Sequence, residues 1–257
     1  MTLLEIKNLT KNFGGLTAIQ NVNLEFHKNE LIGLIGPNGA GKTTLFNLLT
    51  GVYGPTQGEI NFETANKVIA IGGKKTSDIA ELGIARTFQN IRLLKDMSVL
   101  ENVAVAMHNK YGAGFFPTFF RTRKFYQAEK EVTDKAMELL KIFALENVVS
   151  EQAKNLSYGN QRRLEIVRAL ATEPSILFLD EPAAGMNPNE SSKLTRLIHQ
   201  IQKDFDLTIV LIEHDMSVVM QVCERIYVLE YGKVIAHGTP QEIRENDKVV
   251  HAYLGGV

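Results

Sequence analysis

Gly-Pro-Asn-Gly-Ala-Gly-Lys-Thr-Thr, at residues 36–44, is the most informative stretch of this 257-residue sequence. It fits the pattern G-x-x-x-x-G-K-[ST] of a phosphate-binding loop. The apolar run Leu31 to Ile35 precedes it and Leu45 to Leu49 follows it, which predicts a strand before the loop and a helix after it. A glycine-rich turn that binds no ligand could match the pattern by chance. The predicted strand and helix on either side make that interpretation less favourable than a phosphate-binding loop.

The residue types in this loop suit phosphate binding. Its glycines allow successive backbone N–H groups to point inward at phosphate oxygens, and the helix that begins near Lys42 adds the positive end of its dipole. Lys42 is predicted to reach the terminal phosphates of a nucleotide, and the Thr43 hydroxyl to hold Mg²⁺. The predicted nucleotide-binding residues of the loop are Gly36, Pro37, Asn38, Gly39, Ala40, Gly41, Lys42, Thr43 and Thr44.

The composition is that of an ordinary globular protein, with 44% apolar and 22% charged residues. A net charge of −1 gives no general basic field, so nucleic acid is not indicated as the main partner. The one cysteine, Cys223, excludes an internal disulfide and fits a reducing compartment. No apolar run has the length of a membrane span, and the N-terminus lacks a signal-peptide pattern. We therefore expect a cytoplasmic chain that works at a membrane only through a partner.

Alternating apolar residues around the Gly14-Gly15 turn predict two antiparallel strands before the phosphate loop. Leu4, Ile6 and Leu9 form one set, and Val22, Leu24 and Phe26 form the other. Phe13 lies beside the turn. Core packing is the default for a phenylalanine, but a position just upstream of the phosphate loop favours a platform on which adenine stacks.

Strands and helices alternate through the rest of the chain. Continuous apolar runs predict buried strands at 176–179 and 208–212, and residues at helical spacing predict helices near 99–107, 132–143, 164–170 and 194–201. Tyr231-Gly232 indicates a late hairpin, and Thr239 with Glu242 forms a capping-box pattern that predicts a short C-terminal helix. The sequence therefore predicts an α/β fold with a mostly parallel sheet covered on both faces.

An aromatic and basic segment, Tyr111 to Tyr126, separates two of these predicted helices. It contains five phenylalanines, with Arg121, Arg123 and Lys124 close by. Two interpretations stay open: a long connection that packs on its own helices, or a surface that docks a membrane partner.

Two adjacent carboxylates end one of the predicted buried strands. Asp180, at the carboxyl end of the strand beside the loop, is placed to hold Mg²⁺. Glu181, one residue on, faces differently and is placed to orient and deprotonate an attacking water. Adjacent acids on a surface often mean only solubility, but these follow a wholly apolar strand, which favours a functional role.

Residues 155–161 then read Asn-Leu-Ser-Tyr-Gly-Asn-Gln, which resembles the signature motif of ATP-binding cassette (ABC) ATPases. Gln89, in Arg-Thr-Phe-Gln, resembles the glutamine loop of that family, and His214 resembles its switch histidine. Pro182 to Pro188 is similar to the segment that joins neighbouring subunits. The resemblance runs from Phe13 to His214 in the expected order.

The resemblance implies ATP hydrolysis with Mg²⁺, in which Gln89 is a further metal ligand and Gln89, Glu181, His214 and Lys42 are catalytic. It also implies a site split between two chains, because Ser157 and Gly159 of one subunit close over the nucleotide of another. The implied fold is a phosphate-loop NTPase core with an N-terminal antiparallel β subdomain and an inserted α-helical subdomain. A single domain is expected over 1–257, with its core at 1–88 and 162–257 and a helical subdomain at 89–161 that includes an insert at 109–126.

The sequence departs from the general family pattern at three positions. Tyr158 and Asn160 stand where glycine and glutamine are usual in the signature, and Asn187 stands where aspartate is usual. The segments 83–89, 181–188 and 252–255, together with the insert, resemble the ATPase subunits of branched-chain amino-acid importers, specifically the paralogue with the longer insert.

That branch implies an energy-coupling importer subunit. Its partners are a second ABC ATPase subunit in a homodimer or heterodimer, transmembrane permease subunits, and indirectly a substrate-binding protein. The ATPase of lipopolysaccharide export is similar through the core. A non-transport, nucleotide-gated ABC module is a further alternative, although this chain has neither two cassettes nor a long coiled coil. An ordinary phosphate-loop kinase does not account for the signature motif or for His214.

Overall fold

The computed structural model describes residues 1–64, 66–112 and 121–254. Within them, residues 1–86 and 175–254 belong to one compact unit, and residues 87–112 and 121–174 belong to a second. The first unit ends at Arg86 and resumes at Ser175, whereas the sequence predicts that the core ends at 88 and resumes at 162. The division into a catalytic core and a helical subdomain stays a prediction.

An antiparallel sheet in the first unit contains the N-terminal strands. Its strands are β1 (Thr2–Phe13), β2 (Leu16–His27), β4 (Gln57–Glu63) and β5 (Val68–Ala70), in the order β2-β1-β4-β5. The apolar residues Leu4, Ile6 and Leu9 of β1 are all buried. The predicted antiparallel strands are confirmed, since β1 pairs with both β2 and β4 in antiparallel register.

The second sheet of this unit is mostly parallel. Its strands are β3 (Leu31–Ile35), β6 (Ile84–Arg86), β7 (Ile176–Asp180), β8 (Thr208–Ile212), β9 (Arg225–Glu230) and β10 (Lys233–Gly238), in the order β10-β9-β3-β8-β7-β6. All pairs are parallel except the β9–β10 hairpin. Every residue of β3, β7 and β8 is buried, as continuous apolar strands in a parallel sheet require. The predicted fold class and the late hairpin are confirmed.

In chain order, helices α1 to α9 of the described residues are Lys42–Leu49, Thr76–Glu81, Val99–Tyr111, Arg123–Ile142, Tyr158–Leu170, Pro188–Asp204, Met216–Val222, Pro240–Arg244 and Asp247–Leu254. Two 3₁₀ turns, Glu146–Val148 and Ala153–Asn155, precede α5. The predicted box at the start of α8 is present, because the Thr239 side chain accepts from the Glu242 N–H and Glu242 accepts in return.

Helices α3, α4 and α5 form the second unit. Helix α4 buries Val132, Ala136, Leu139 and Leu140 along one face, so its predicted amphipathic pattern is confirmed. Ser98 caps α3 in a capping box with Glu101, and Ser157 caps α5. The centre of the aromatic insert, residues 113–120, lies outside the described residues, so both interpretations of it stay open.

No helix in the described part of the chain combines the length and the apolar character that crossing a membrane requires.

Candidate functional site

The phosphate loop lies between β3 and α1, as the sequence pattern requires. At Gly36 the backbone has a φ of 150°, and a Cβ there would lie 2.1 Å from the Leu229 carbonyl oxygen. At Gly41, with a φ of 103°, a Cβ would lie 2.8 Å from the carbonyl oxygen of Ala18. Only glycine fits at these two positions, because a side chain would meet both backbone strain and neighbouring backbone atoms.

The helix after the loop is anchored in the core of the first unit. The Phe46 ring of α1 meets the Phe178 ring of β7 edge to face, with centroids 5.0 Å apart. Such aromatic pairs add stabilisation beyond the area that they bury. The N-terminus of α1 is therefore held at the carboxyl edge of the parallel sheet.

Lys42 is buried in the loop itself. Its ammonium donates to the carbonyl oxygens of Gly36 at 2.7 Å and Pro37 at 3.1 Å. Burial lowers the pKa of Lys42, while the carboxylates of Glu181 and Asp180 oppose that shift. A buried cation whose hydrogen-bond acceptors are neutral carbonyls is well prepared for an anionic ligand.

Asp180 is the last residue of β7 and is also buried. Its Oδ2 accepts from the Arg86 guanidinium at 2.6 Å, and Arg86 also donates to Asn47 of α1 at 2.6 Å. In the sequence, Arg86 stands out only as a neighbour of Gln89, with no predicted role. The available signal was an arginine at the end of the short apolar stretch that becomes β6, beside β7 in the sheet.

Oxygen ligands suit Mg²⁺, and the predicted set contains the Thr43 hydroxyl and the Asp180 carboxylate. Thr43 is exposed at the start of α1. Among the described residues, histidine, cysteine and acidic side chains nowhere form a group of three that could hold a metal ion. Mg²⁺ is usually bound through one or two protein ligands together with substrate phosphates and waters, so two such oxygen ligands fit this ion.

Glu181 and His214 meet at the same edge of the sheet. Strands β7 and β8 are parallel neighbours, with Asp180 paired to Ile212, so the residues that follow them lie side by side. Glu181 has a φ of 48°, and its Oε1 lies 2.5 Å from His214 Nε2. The structure thus brings together two side chains that the sequence placed 33 positions apart.

Glu213 is a residue of this site that the sequence analysis missed. It is 4% exposed, and its carboxylate accepts the Ala183 N–H at 2.7 Å and the His214 N–H at 3.2 Å. Burial is the main cause that raises the pKa of this carboxyl. Through these two hydrogen bonds, Glu213 connects the loop after β7 to the loop after β8. The sequence signal for this residue was a carboxylate directly before the predicted switch histidine.

Phe13 ends β1 outside the buried core. Its side chain is 41% exposed, with the Tyr53 ring edge-on at 5.2 Å and the Lys11 ammonium 5.0 Å from its centroid. Core packing therefore does not explain this phenylalanine. Adenine stacking stays a prediction, and Tyr53 is an aromatic neighbour that the sequence analysis missed.

Gln89, Ser157 and Gly159 belong to the second unit. Ser157 lies at the N-cap of α5 and accepts the Asn160 N–H at 3.4 Å. The Gln89 carbonyl accepts from Arg162 of the same helix at 3.0 Å. The glutamine loop and the signature motif thus share one helix as their support.

Asn187, which stands where aspartate is usual in the family, caps the helix that follows it. Its side chain accepts the Glu190 N–H at 3.0 Å, and Glu190 accepts the Asn187 N–H at 3.0 Å, which forms a capping box at the start of α6. Asparagine and aspartate are about equally good N-caps, so the helix is retained.

Comparison with known proteins places this geometry in a family. The family model described as "ABC transporter" matches residues 19–184, and the one described as "Branched-chain amino acid ATP-binding cassette transporter" matches residues 233–257. The high-affinity branched-chain amino acid transport ATP-binding protein LivG of Escherichia coli strain K12 is 47% identical over 253 residues, with 98% of each chain covered.

Solved structures have the same fold. The ADP conformation of MJ1267, an ATP-binding cassette of an ABC transporter, is 31% identical and has a TM-score of 0.84, with 99% of each chain covered. The dimeric structure of MJ0796, a bacterial ABC transporter cassette, is 27% identical with a TM-score of 0.77, covering 93% of this chain and 99% of that one. The chain therefore belongs to the ABC transporter family, as an ATPase subunit in the same branch as LivG.

Proposed function

We propose that this chain hydrolyses ATP as the energy-coupling subunit of an importer for branched-chain amino acids. The observation that carries the proposal is the Glu181–His214 pair at the sheet edge that also holds Lys42 and Asp180. A buried cation for phosphates and a carboxylate for the attacking water are two of the groups that hydrolysis of a phosphoanhydride needs.

Each residue of the phosphate loop has a role in binding. Lys42 exchanges its carbonyl partners for the terminal phosphates, and the loop N–H groups receive the remaining phosphate oxygens. Thr43 and Asp180, with Gln89 as the family resemblance implies, would supply oxygen ligands for Mg²⁺, and the ion would neutralise negative charge on the phosphates. Phe13 stacks on the adenine.

Glu181 acts as the general base. A carboxylate oxygen of Glu181 takes a proton from water while the water oxygen bonds to the terminal phosphorus, and ADP leaves as the bond to that phosphorus breaks. His214 is in contact with Glu181 Oε1. In this proposal it holds the carboxylate in place beside the phosphoryl group that is transferred. Glu213 fixes the His214 backbone for this task.

Two chains complete each site. Ser157 and Gly159 of one chain close over the nucleotide that Lys42 of the other chain holds, and the dimeric form of the related MJ0796 cassette supports this arrangement. A ligand at a hundredfold over its dissociation constant contributes about 2.7 kcal/mol, so two nucleotides weigh strongly in dimer closure. Hydrolysis removes that contribution and lets the chains part.

The transported substrate is inferred from relatives. The name of LivG assigns it to branched-chain amino acid transport, and the C-terminal residues 233–257 match a model for that branch. The permease subunits span the membrane and bind this ATPase at the inner face of the membrane. The substrate-binding protein acts on the ATPase only through these permease subunits. Relatives that match 98% of this chain, LivG among them, are branched-chain amino acid transport proteins, which favours this assignment over lipopolysaccharide export or a non-transport module.

The variant Glu181→Gln tests the site. The amide keeps the side-chain shape but takes no proton, so ATP should bind and persist while the dimer accumulates. Size-exclusion chromatography with ATP measures the dimer, and phosphate release measures turnover. Glu59→Gln, the same change at an exposed residue of the first unit, should behave as the parent. Parental turnover in Glu181→Gln would remove Glu181 from the mechanism.

Uptake in cells tests the substrate. A strain lacking this chain should lose uptake of labelled leucine, isoleucine and valine and keep uptake of histidine, with full rescue by the parent chain and none by Glu181→Gln. Unchanged leucine uptake at low external concentration would overturn the assignment to branched-chain amino acids.

A further inference from the structure

Arg162, in the second turn of α5, is the largest side chain that the first unit or the second buries completely among the described residues. Its guanidinium donates to the carbonyl oxygens of Phe88 at 2.7 Å and Gln89 at 3.0 Å. A fully buried cation is costly unless it is paired and hydrogen-bonded. Both requirements are met here by the residues around the glutamine loop.

Glu165, one turn further along α5, completes the pair. It lies 2.8 Å from Arg162 Nη1 and is itself 5% exposed. Its other oxygen accepts the backbone N–H of Arg92 at 3.1 Å and that of Phe88 at 3.4 Å. The ion pair thus bonds to N–H and C=O groups of one five-residue stretch, Phe88–Arg92, which we name the glutamine segment.

A third residue on the same face of α5 supports the far end of this segment. Arg168 donates to the Arg92 carbonyl, and the Arg92 guanidinium lies 3.9 Å from the centroid of the Phe88 ring. Backbone groups that lie outside regular structure need partners of this kind. The glutamine segment takes them from α5.

The other end of α5 carries the signature motif. Ser157 caps the helix, and the Tyr158 hydroxyl lies 3.5 Å from Arg162 Nη2. Gln89 and Tyr158 also line one groove of about 210 Å³. One turn of helix therefore separates the phosphate-contacting Ser157 from the side chain that holds the glutamine segment.

Stability alone does not explain a buried ion pair. Apolar residues of similar volume are often as stabilising or more so, because the desolvation of two charges offsets much of their attraction. What an apolar pair lacks is directed bonding to backbone groups. The Arg162–Glu165 pair fixes where the glutamine segment lies, which apolar packing would leave free to slide.

We propose that Arg162 and Glu165 are positioning residues that fasten the glutamine segment to the signature helix, so that Gln89 and Ser157 respond to nucleotide as one body. The inference rests on the proposed function, in which Gln89 and Ser157 contact the metal and the phosphates. Nucleotide bound at one element is then sensed at the other without a further contact.

Amide hydrogen exchange of the full chain, with and without ATP, tests this coupling in the hydrolysis-blocked Glu181→Gln background. ATP should slow exchange at 88–92 and at 157–161 together. Adding Glu165→Gln should speed exchange at 88–92 without ATP, since Phe88 and Arg92 lose a charged acceptor. It should also uncouple the response of 157–161 from that of 88–92. ATP affinity should stay as in the parent, because the phosphate loop is unchanged.

The matched control is Glu131→Gln, which makes the same change at an exposed ion pair of α4 with Lys135. It should leave exchange in both segments as in the parent. With Glu181 restored, Glu165→Gln should slow hydrolysis about 10–100-fold, the range seen when outer partners of metal ligands are removed. Glu131→Gln should hydrolyse ATP normally.

The double variant Arg162→Met with Glu165→Leu removes the pair without leaving a buried charge, and Arg162→Lys keeps the charge without the two-pronged geometry. Both should uncouple the two segments. The proposal would be overturned if both variants kept the parental coupling between 88–92 and 157–161. It would also be overturned if the variants lost protection from exchange throughout residues 87–174, because the pair would then have a general structural role. If the parent fails to bind ATP, the proposed function fails, and exchange at 88–92 without ATP still decides whether the pair holds the segment.

Discussion

Charged side chains that the first unit buries all lie around the proposed catalytic edge. Lys42 is held by loop carbonyls, Asp180 by Arg86, and Glu213 by the backbone N–H groups of Ala183 and His214. Burying a charge is costly unless the charge is paired or hydrogen-bonded, so each of these residues depends on its partners to remain charged in the folded chain. Phe13, in contrast, is large, apolar and partly exposed.

Phe13→Ala should weaken ATP binding by about 1–3 kcal/mol, the range for base–aromatic stacking elsewhere. The fold should be unaffected because the ring lies outside the core. Calorimetric titration with ATP and a thermal melt measure the two effects, and Leu16→Ala at the exposed start of β2 serves as control. A lower melting temperature with unchanged ATP affinity would make Phe13 a packing residue.

Glu213 should make stability depend on pH. Burial raises the pKa of this carboxyl above its ordinary value of 4.5, so the folded chain keeps a proton that the unfolded chain has lost. Its contribution to the free energy of unfolding therefore falls as pH rises from 4.5 through the raised pKa. The Glu213→Gln variant has no such carboxyl, so its free energy of unfolding should not show this decrease. The variant should therefore become more stable relative to the parent as pH rises through that window. Urea unfolding at a series of pH values measures it, and a constant difference would contradict the raised pKa.

At the scale of elements, helix ends carry much of the site. The N-terminus of α1 faces the phosphate loop, Ser157 begins α5, and Asn187 begins α6 directly after the loop that follows Glu181. Free N–H groups at a helix start attract phosphate or a capping side chain, so function and capping compete for the same positions.

Asn187→Ala should destabilise the first unit by about 0.5–2 kcal/mol, since it removes the side chain that accepts the Glu190 N–H. Asn187→Asp is the matched variant, and we expect it to unfold within a few tenths of a kcal/mol of the parent. Chemical denaturation of the three proteins decides the matter. Equal loss in both variants would show that the amide itself has another role.

At the scale of the whole molecule, we expect the residues of each ATP site to come from both units and from two chains. The first unit holds Lys42, Asp180, Glu181 and His214, whereas the second holds Gln89, Ser157 and Gly159. Under the proposed function, the phosphate loop and the signature serine of one chain serve different nucleotides.

Mixed dimers should reveal this split. In a Glu181→Gln background, Lys42→Ala in one chain and Ser157→Ala in its partner place both defects in one site and leave the other intact. Both substitutions in the same chain spoil both sites. Nucleotide retained per dimer after gel filtration should therefore be about one in the first arrangement and near none in the second. The reverse result, near none in the first arrangement and about one in the second, would mean that each chain completes its own site. Equal retention of about one in both would mean that Ser157 takes no part in holding the nucleotide.

The sequence by itself determined the elements whose signals are local. Apolar runs and turn residues predict β3, α1, β7 and β8 because strand and helix periods are written in neighbouring residues, and the motif order at Lys42, Asp180 and Ser157 identifies the family. The tertiary structure alone decided the partners of buried charges. Arg86 meets Asp180 across 94 positions, Glu213 meets Ala183 across 30, and Arg162 meets Phe88 across 74. Such pairs depend on which strands and helices become neighbours, and no periodicity within the chain records that choice.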